Sequence, residues 1–335
     1  MKAPRRLSGS RIAVGMASVG LTVGAFSLYS RKRYGRSAAA SLAEYGVRPV
    51  KTLAARIPMT ERIARLADRP EPARTVTFPA WGRFFYDLER SEDSGMPVYH
   101  VRQRTPSSAV IVYLHGGGYI STAVSAHAWL VDHLARRTGA DVVVPLYPLA
   151  PHHTWSEAHR LVLDLYRRTA AESPGKRIIL MGDSAGGGLA AVIALSLAEA
   201  GDAQPDELAL ISPWVDITNT NPDIADYVDA DPLMAPEPLA EIGRSWAGST
   251  PPTDWHLSPI YGDLSGLKKV TTFVGTREIL LPDNALFHAK LLEAGVDSTL
   301  HVGENLNHVY PMFPTPEGRR ARRDLVRLVT GEPTA

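Results

Sequence analysis

The chain has 335 residues, 44 % of them hydrophobic and 21 % charged, enough to bury one large core or a core with a small cap. A formal net charge of +1 gives nucleic acid no electrostatic claim as a partner. The lack of any cysteine excludes disulfides, thiolate zinc sites and a cysteine nucleophile.

The overall balance hides an asymmetry. Residues 1–43 carry only basic charge, and the first acidic residue is Glu44. Between the basic clusters lies Ile12 to Tyr29, uncharged and mostly small or apolar. Three readings fit residues 1–37: an uncleaved membrane anchor, a cleaved secretory signal, or a soluble helical arm. Arg31-Lys32-Arg33 directly after the run weighs against cleavage, while Gly15, Gly20 and Gly24 keep the run only moderately hydrophobic. Membrane association through residues 12–29 is therefore one expectation, and a membrane-associated or exported location is favoured over a cytoplasmic one.

Residues 38–74 are helical in pattern and precede the core. From Ala109 onward, strand-like and helix-like runs alternate. Ala109–Leu114 reads as a buried strand leading into His115-Gly116-Gly117-Gly118-Tyr119, whose glycines let bare backbone N–H groups face a substrate oxygen. A helix is expected over Ala126–Arg137, a strand over Asp141–Tyr147, and an amphipathic helix over Trp155–Ala171, with Ala158, Leu161, Val162 and Leu165 on one face. The run Arg177–Met181 is a strand, followed by Gly182-Asp183-Ser184-Ala185-Gly186 and a small-residue helix from Gly187 to Ala200. Gly-x-Ser-x-Gly between strand and helix is a nucleophile elbow: the tight turn lifts the serine hydroxyl off the sheet and aims the N–H of Ala185 at a reacting carbonyl. Further strands are expected at Glu207–Ile211, Lys269–Val274 and Ser298–Val302, with helices at Asn284–Ala294 and Gly318–Leu328. This alternation predicts an α/β fold, a mostly parallel central sheet with helices on both faces, its ligand at the C-terminal strand ends. Residues 214–256 break the rhythm and read as a helical insertion over the site. With 38–74 they make a helical cap on a core of 75–213 and 257–335.

A serine hydroxyl needs a base. After a nucleophile elbow of this kind the chain order is serine, then acid, then histidine, so the base follows Ser184, leaving His256, His288, His301 and His308. His301 lies in a strand and His288 in a helix. His308 falls in a loop just past the last strand, where an imidazole can reach over the serine. The acid belongs after the preceding strand. Glu278 fits directly, and Asp283, five residues on, is the alternative with a competing role at a helix start.

With these residues in place, the chain resembles the hormone-sensitive-lipase-like family of α/β-hydrolases, bacterial esterases with a Gly-Asp-Ser-Ala-Gly elbow. The resemblance covers residues 75 to 330 and rests on both glycine motifs, Ser212-Pro213-Trp214-Val215-Asp216, Asp231-Pro232-Leu233, Ser258-Pro259 and His308-Val309. It implies carboxylic ester hydrolysis through an acyl-enzyme, on short- to medium-chain substrates, with no metal or organic cofactor. It implies oxyanion donors at the N–H groups of Gly116, Gly117 and Ala185, and a cap that shapes the pocket. Asp183 is read as supporting the serine from behind. Tyr119, Trp214 and Trp255 are candidates for the pocket wall, the two tryptophans equally for cap core. The chain departs from the pattern at Glu278, where the family usually has aspartate, and at Pro148 and His152, where arginine and glutamate are common. A lactone hydrolase or a secondary-metabolite deacetylase uses the same machinery. A non-catalytic ligand receptor on this fold is the rival of another class. A homodimer through the last strand is expected by family analogy only.

Overall fold

A computed structural model describes residues 25–332. Most of the 12–29 run expected to meet a membrane lies outside them. No helix among the described residues is long and apolar enough to cross a membrane.

Eight strands form one sheet in the order β1-β2-β4-β3-β5-β6-β7-β8. They are β1 (Tyr86–Asp93), β2 (Met96–Gln103), β3 (Ala109–Leu114), β4 (Asp141–Pro145), β5 (Arg177–Asp183), β6 (Glu207–Ile211), β7 (Lys269–Arg277) and β8 (Asp297–Asn307). From β4 through β3 to β8 every pairing is parallel. The helices are α1 (Ala38–Ala54), α2 (Met59–Ala67), α3 (Ser125–Thr138), α4 (Trp155–Ala171), α5 (Ser184–Ala200), α6 (Pro236–Ala247), α7 (Leu281–Glu293) and α8 (Pro316–Thr330).

The pleat of β3 explains the layering. Val110, Val112 and Leu114 join the core shared with α4, α5 and α7, whereas Ala109, Ile111 and Tyr113 join the core shared with α3 and α8. All six are buried, so the strand reads as a continuous apolar run rather than an alternation. The antiparallel hairpin of β1 and β2 went unanticipated. Most of β1 is exposed and it carries four acidic residues, the chemistry that keeps a sheet edge from pairing further, so it lacks the apolar signature of a strand. Ser94 and Gly95 turn the hairpin with φ of 52° and 81°.

One register positions the site. Leu114 of β3 lies opposite Gly182 of β5, so the turns that follow these strands emerge side by side. Helix α5 starts at Ser184 itself, earlier than expected, and packs tightly on its neighbours: a Cβ on Gly186 would run into the carbonyls of Leu114 and His115.

Helix α1 lies over the C-terminal end of the sheet and is held by polar contacts. Ser37 caps it and bonds Glu317 of α8 through both its N–H and its hydroxyl, each at 2.8 Å. Glu44, 2 % exposed, bonds Arg36, Arg48 and Arg277. Burial works to raise the Glu44 pKa, but the three guanidinium groups outweigh it and hold the carboxyl below the ordinary glutamate value. Because the folded-state value is depressed, the stabilisation is present above the unfolded-state value and disappears as pH falls through the folded one. Glu44→Gln, which leaves buried Arg36 unpaired, should therefore lower unfolding free energy by about 3 kcal/mol at neutral pH. Urea denaturation across pH should show the gap to wild type closing below the ordinary glutamate range; a gap independent of pH would contradict this account.

Candidate active site

Ser184 occupies the junction of β5 and α5 with φ of 52°, the left-handed conformation that a non-glycine residue adopts only when the surrounding backbone enforces it. Its backbone carbonyl accepts the N–H of Trp214 at 2.9 Å. Ser184 and His308 line one cavity of about 1020 Å³, with Gly117 and Gly118 beside them. No hydrogen bond joins the Ser184 hydroxyl to the imidazole, whose Nδ1 is turned to Glu278.

His308 follows the last residue of β8 directly, a strand that runs five residues further than its apolar stretch suggested. Its Nδ1 lies 2.6 Å from Glu278 Oε2. The other carboxylate oxygen, Oε1, accepts the Ser212 hydroxyl at 2.8 Å and the Gly275 N–H at 2.6 Å. Glu278 is fully buried, and every bond it makes holds its carboxylate facing the ring. A register shift between β7 and β8 at Gly275/Arg277 immediately precedes it. Burial by itself would lower the His308 pKa, but Glu278, in charge and hydrogen bond, and then Asp231 and Asp183 raise it above the ordinary imidazole value.

Asp231 carries a role that its motif did not reveal. It is 2 % exposed and accepts the N–H groups of Leu233, Met234 and Ile279, at 2.7, 2.9 and 2.9 Å. It thereby ties the insertion to the segment bearing Glu278. Ser212 is its counterpart on the core side: besides donating to Glu278 it accepts the N–H of Val309 at 3.0 Å, one residue past the histidine. Both fell inside motifs read only for resemblance. Their sequence signal is a small polar residue beside proline, which names no partner.

Asp183 forms the second buried carboxylate centre. Its Oδ1 accepts the Tyr113 hydroxyl at 2.6 Å and the N–H of Gly116 at 2.9 Å. Its Oδ2 lies 3.3 Å from His127 Nε2, and because His127 Nδ1 accepts the N–H of Val124 at 2.8 Å, the ring presents its Nε2–H to the carboxylate. Burial pushes the Asp183 pKa up, yet His127, Tyr113 and Gly116 together hold it below the ordinary value. Nothing in the sequence singled out His127.

Four expectations need correction. Gly116 was a candidate oxyanion donor, but its N–H is taken by Asp183; the N–H groups of Gly117, Gly118 and Ala185 meet no acceptor among the described residues. Asp283 does not approach His308. Its Oδ1 accepts from Asn221 Nδ2 at 2.8 Å in a separate pocket with Asp216, and burial first, then Asp216, pushes it up to about 6. Tyr119 is not in the cavity wall: it is 2 % exposed and stacks on Trp246 with ring centroids 4.2 Å apart. Trp255 stacks on His256 away from the cavity, whereas Trp214 does line it. His115 is also withdrawn, stacked on Tyr147 at 4.5 Å, and burial pushes its pKa down to about 4.

Beyond this polar floor the cavity wall is mainly apolar, with Lys51, Arg62 and Glu237 as charged residues along it. Its wall includes Ile57 and Met59 from the N-terminal helical region and Met234, Leu239 and Ile242 from the insertion, with Ile120 from the core. No cluster of His, Asp or Glu among the described residues is placed to hold a metal ion.

Residues 111–312 match a family described as having the alpha/beta hydrolase fold. The chain is similar to an esterase of Acinetobacter venetianus, 30 % identical over 71 % of this chain and 80 % of that one. It is similar to an acetyl-hydrolase of Streptomyces hygroscopicus, 30 % identical over 69 % of this chain and 80 % of that one. Among solved structures, a hormone-sensitive lipase from a metagenome library superposes with a TM-score of 0.72 at 28 % identity, over 86 % of this chain and 97 % of that one.

The Asp183 clamp gives a test of how the glycine turn is held. Asp183→Ala removes the acceptor of Gly116 N–H and lets the turn shift, and should lower kcat/KM for p-nitrophenyl butyrate by about 10²-fold. Asp183→Asn, which keeps an acceptor oxygen, should lose much less. Wild-type kinetics in the alanine variant would remove the clamp from the description.

Proposed function

We propose, for a chain that belongs to the α/β-hydrolase fold family and is a hormone-sensitive-lipase-like carboxylic ester hydrolase, that the reaction runs through Ser184, His308 and Glu278. The observation that carries this reading is the 2.6 Å contact between His308 Nδ1 and a fully buried Glu278 carboxylate, at the cavity wall that also holds Ser184. A ring whose Nδ1–H is held by a carboxylate has its Nε2 free to accept a proton. Ser184 Oγ attacks the ester carbonyl as its proton passes to Nε2. The tetrahedral oxyanion meets the N–H groups of Gly117 and Ala185, and such donors contribute about 2.7–4 kcal/mol each. The imidazolium returns the proton to the leaving alcohol, and the same ring then activates water to release the acid. Glu278 orients the ring and stabilises its charge throughout without taking the proton.

The apolar wall suits a short- to medium-chain acyl group, and residues 38–74 with 214–256 act as the cap that selects it. A bare ligand receptor has no use for an imidazole locked against a buried carboxylate beside a serine.

Four outcomes are expected. Ser184→Ala should lower p-nitrophenyl butyrate turnover by about 10⁴-fold or more, and unchanged turnover would reject the mechanism. The base must be neutral to act, and its pKa lies above the ordinary 6.5, so kcat/KM should fall on acidification with a midpoint above pH 6.5. Glu278→Gln removes the opposite charge; it should lower the plateau by about 10⁴-fold and move that midpoint to lower pH. Asp283→Asn should do neither.

A further inference from the structure

Helix α1 is amphipathic in the wrong sense for a helix facing water. Its inward side is largely polar: beside buried Ala40, Ser41 and Glu44 are buried, and Lys51 Nζ donates to the carbonyls of Val228 and Asp231 at 2.7 and 2.9 Å. Its outward side is apolar, with Leu42 60 %, Tyr45 47 %, Val50 55 % and Leu53 56 % exposed. At 3.6 residues per turn Leu42, Tyr45, Pro49 and Leu53 fall on one stripe, with Val50 beside it. Isolated exposed apolar residues need no explanation, but a continuous stripe on a helix whose polar face is committed inward marks a binding surface.

The charge around the stripe says what the surface meets. Residues 1–60 contain eleven Lys and Arg and a single acidic residue, Glu44, which is buried. Arg31, Lys32, Arg33, Arg48 and Arg56 are exposed. The helical stretch over 25–34 adds Leu28 at 61 % and Tyr29 at 51 % exposure. A second copy of this chain would bring the same positive charges to the face, which opposes pairing. A surface that is apolar beneath and anionic above complements both features.

We propose that α1 is an interfacial helix, whose outward apolar stripe and flanking basic residues dock on an anionic phospholipid bilayer beside the cavity that holds Ser184. Val50, exposed beside the stripe, also lines the cavity, so docking sets the mouth of the cavity against the lipid. Esters dissolved in the membrane then enter an apolar cavity without crossing water. That consequence rests on the ester-hydrolase mechanism above; the docking itself does not.

The test is cosedimentation of the full chain with phosphatidylcholine vesicles, with and without phosphatidylglycerol. Wild type should bind the anionic vesicles more tightly and release with salt. The triple variant Leu42→Gln, Tyr45→Gln, Leu53→Gln should lower the partition coefficient about tenfold while hydrolysing water-soluble p-nitrophenyl acetate as wild type does. A second variant, Arg31→Gln, Lys32→Gln, Arg33→Gln, which leaves α1 untouched, should lose the preference for anionic vesicles. Ser184→Ala should bind vesicles normally, so that failure of the catalytic reading and failure of this one are told apart. The proposal is overturned if wild type ignores anionic vesicles. It is also overturned if the stripe variant binds as tightly as wild type, which assigns the binding to residues 1–24. A wild-type dimer that the stripe variant converts to monomer would overturn it too, with a second copy as the occupant.

Discussion

The site depends on one close approach, that of the backbone at the start of α5 to the end of β3. Leu114 pairs with Gly182, and two residues later the chains must turn past each other with no room for side chains. Gly186 lies against the carbonyls of Leu114 and His115, and Gly116 lies against Asp183 and Ser184. Only because these positions lack Cβ atoms do the serine, its following N–H and the glycine turn reach a common point. The strain at Ser184 is sustained by the same packing, since the end of the strand before it, Ile179 to Asp183, and the helix after it, Ala185 to Leu197, are buried.

Around that point the buried carboxylates have separate duties. Glu278 faces the imidazole, and both of its oxygens are bonded. Asp183, adjacent to the serine, is turned from the imidazole of His308 to the glycine turn, where it secures Gly116 and pairs with His127. Asp231 has no cationic side chain bonded to it; three backbone N–H groups satisfy it, and it links the insertion to the Glu278 segment. The bonds work against the cost of burial, winning at Asp183 and only partly at Asp231, where burial still holds the carboxyl above its ordinary value, and they make the network rigid as well as polar. A carboxylate that moved would leave N–H donors without partners in a dry interior, which is why the positions of Glu278 and Gly116 are tightly defined.

Helix α1 inverts the usual arrangement for a related reason. Its polar face is used to grip the core, through Glu44 to Arg36 and Arg277 and through Lys51 to backbone carbonyls. Committing those side chains inward leaves the apolar residues no place but the surface. The helix that borders the cavity is thus the one whose outer face suits lipid.

Periodicity and glycine placement were enough to read the parallel core and both glycine turns, because these follow from local chemistry: apolar runs make buried strands, and tight turns demand glycine; between Glu278 and Asp283 as the partner of His308 the sequence left the choice open. The sequence left undecided what depends on partners far along the chain. The acidic strand β1 carried no strand signal because an edge strand needs no apolar face. Gly116 looked like a free donor because its acceptor, Asp183, sits 67 residues away. Tyr119, beside the glycine turn, looked like pocket wall, yet Trp246 from the insertion draws its ring into the core. Which residues would be polar, strained or small was written in the chain; which way each one faces was decided by the tertiary structure, since a side chain's direction depends on the neighbours that packing supplies.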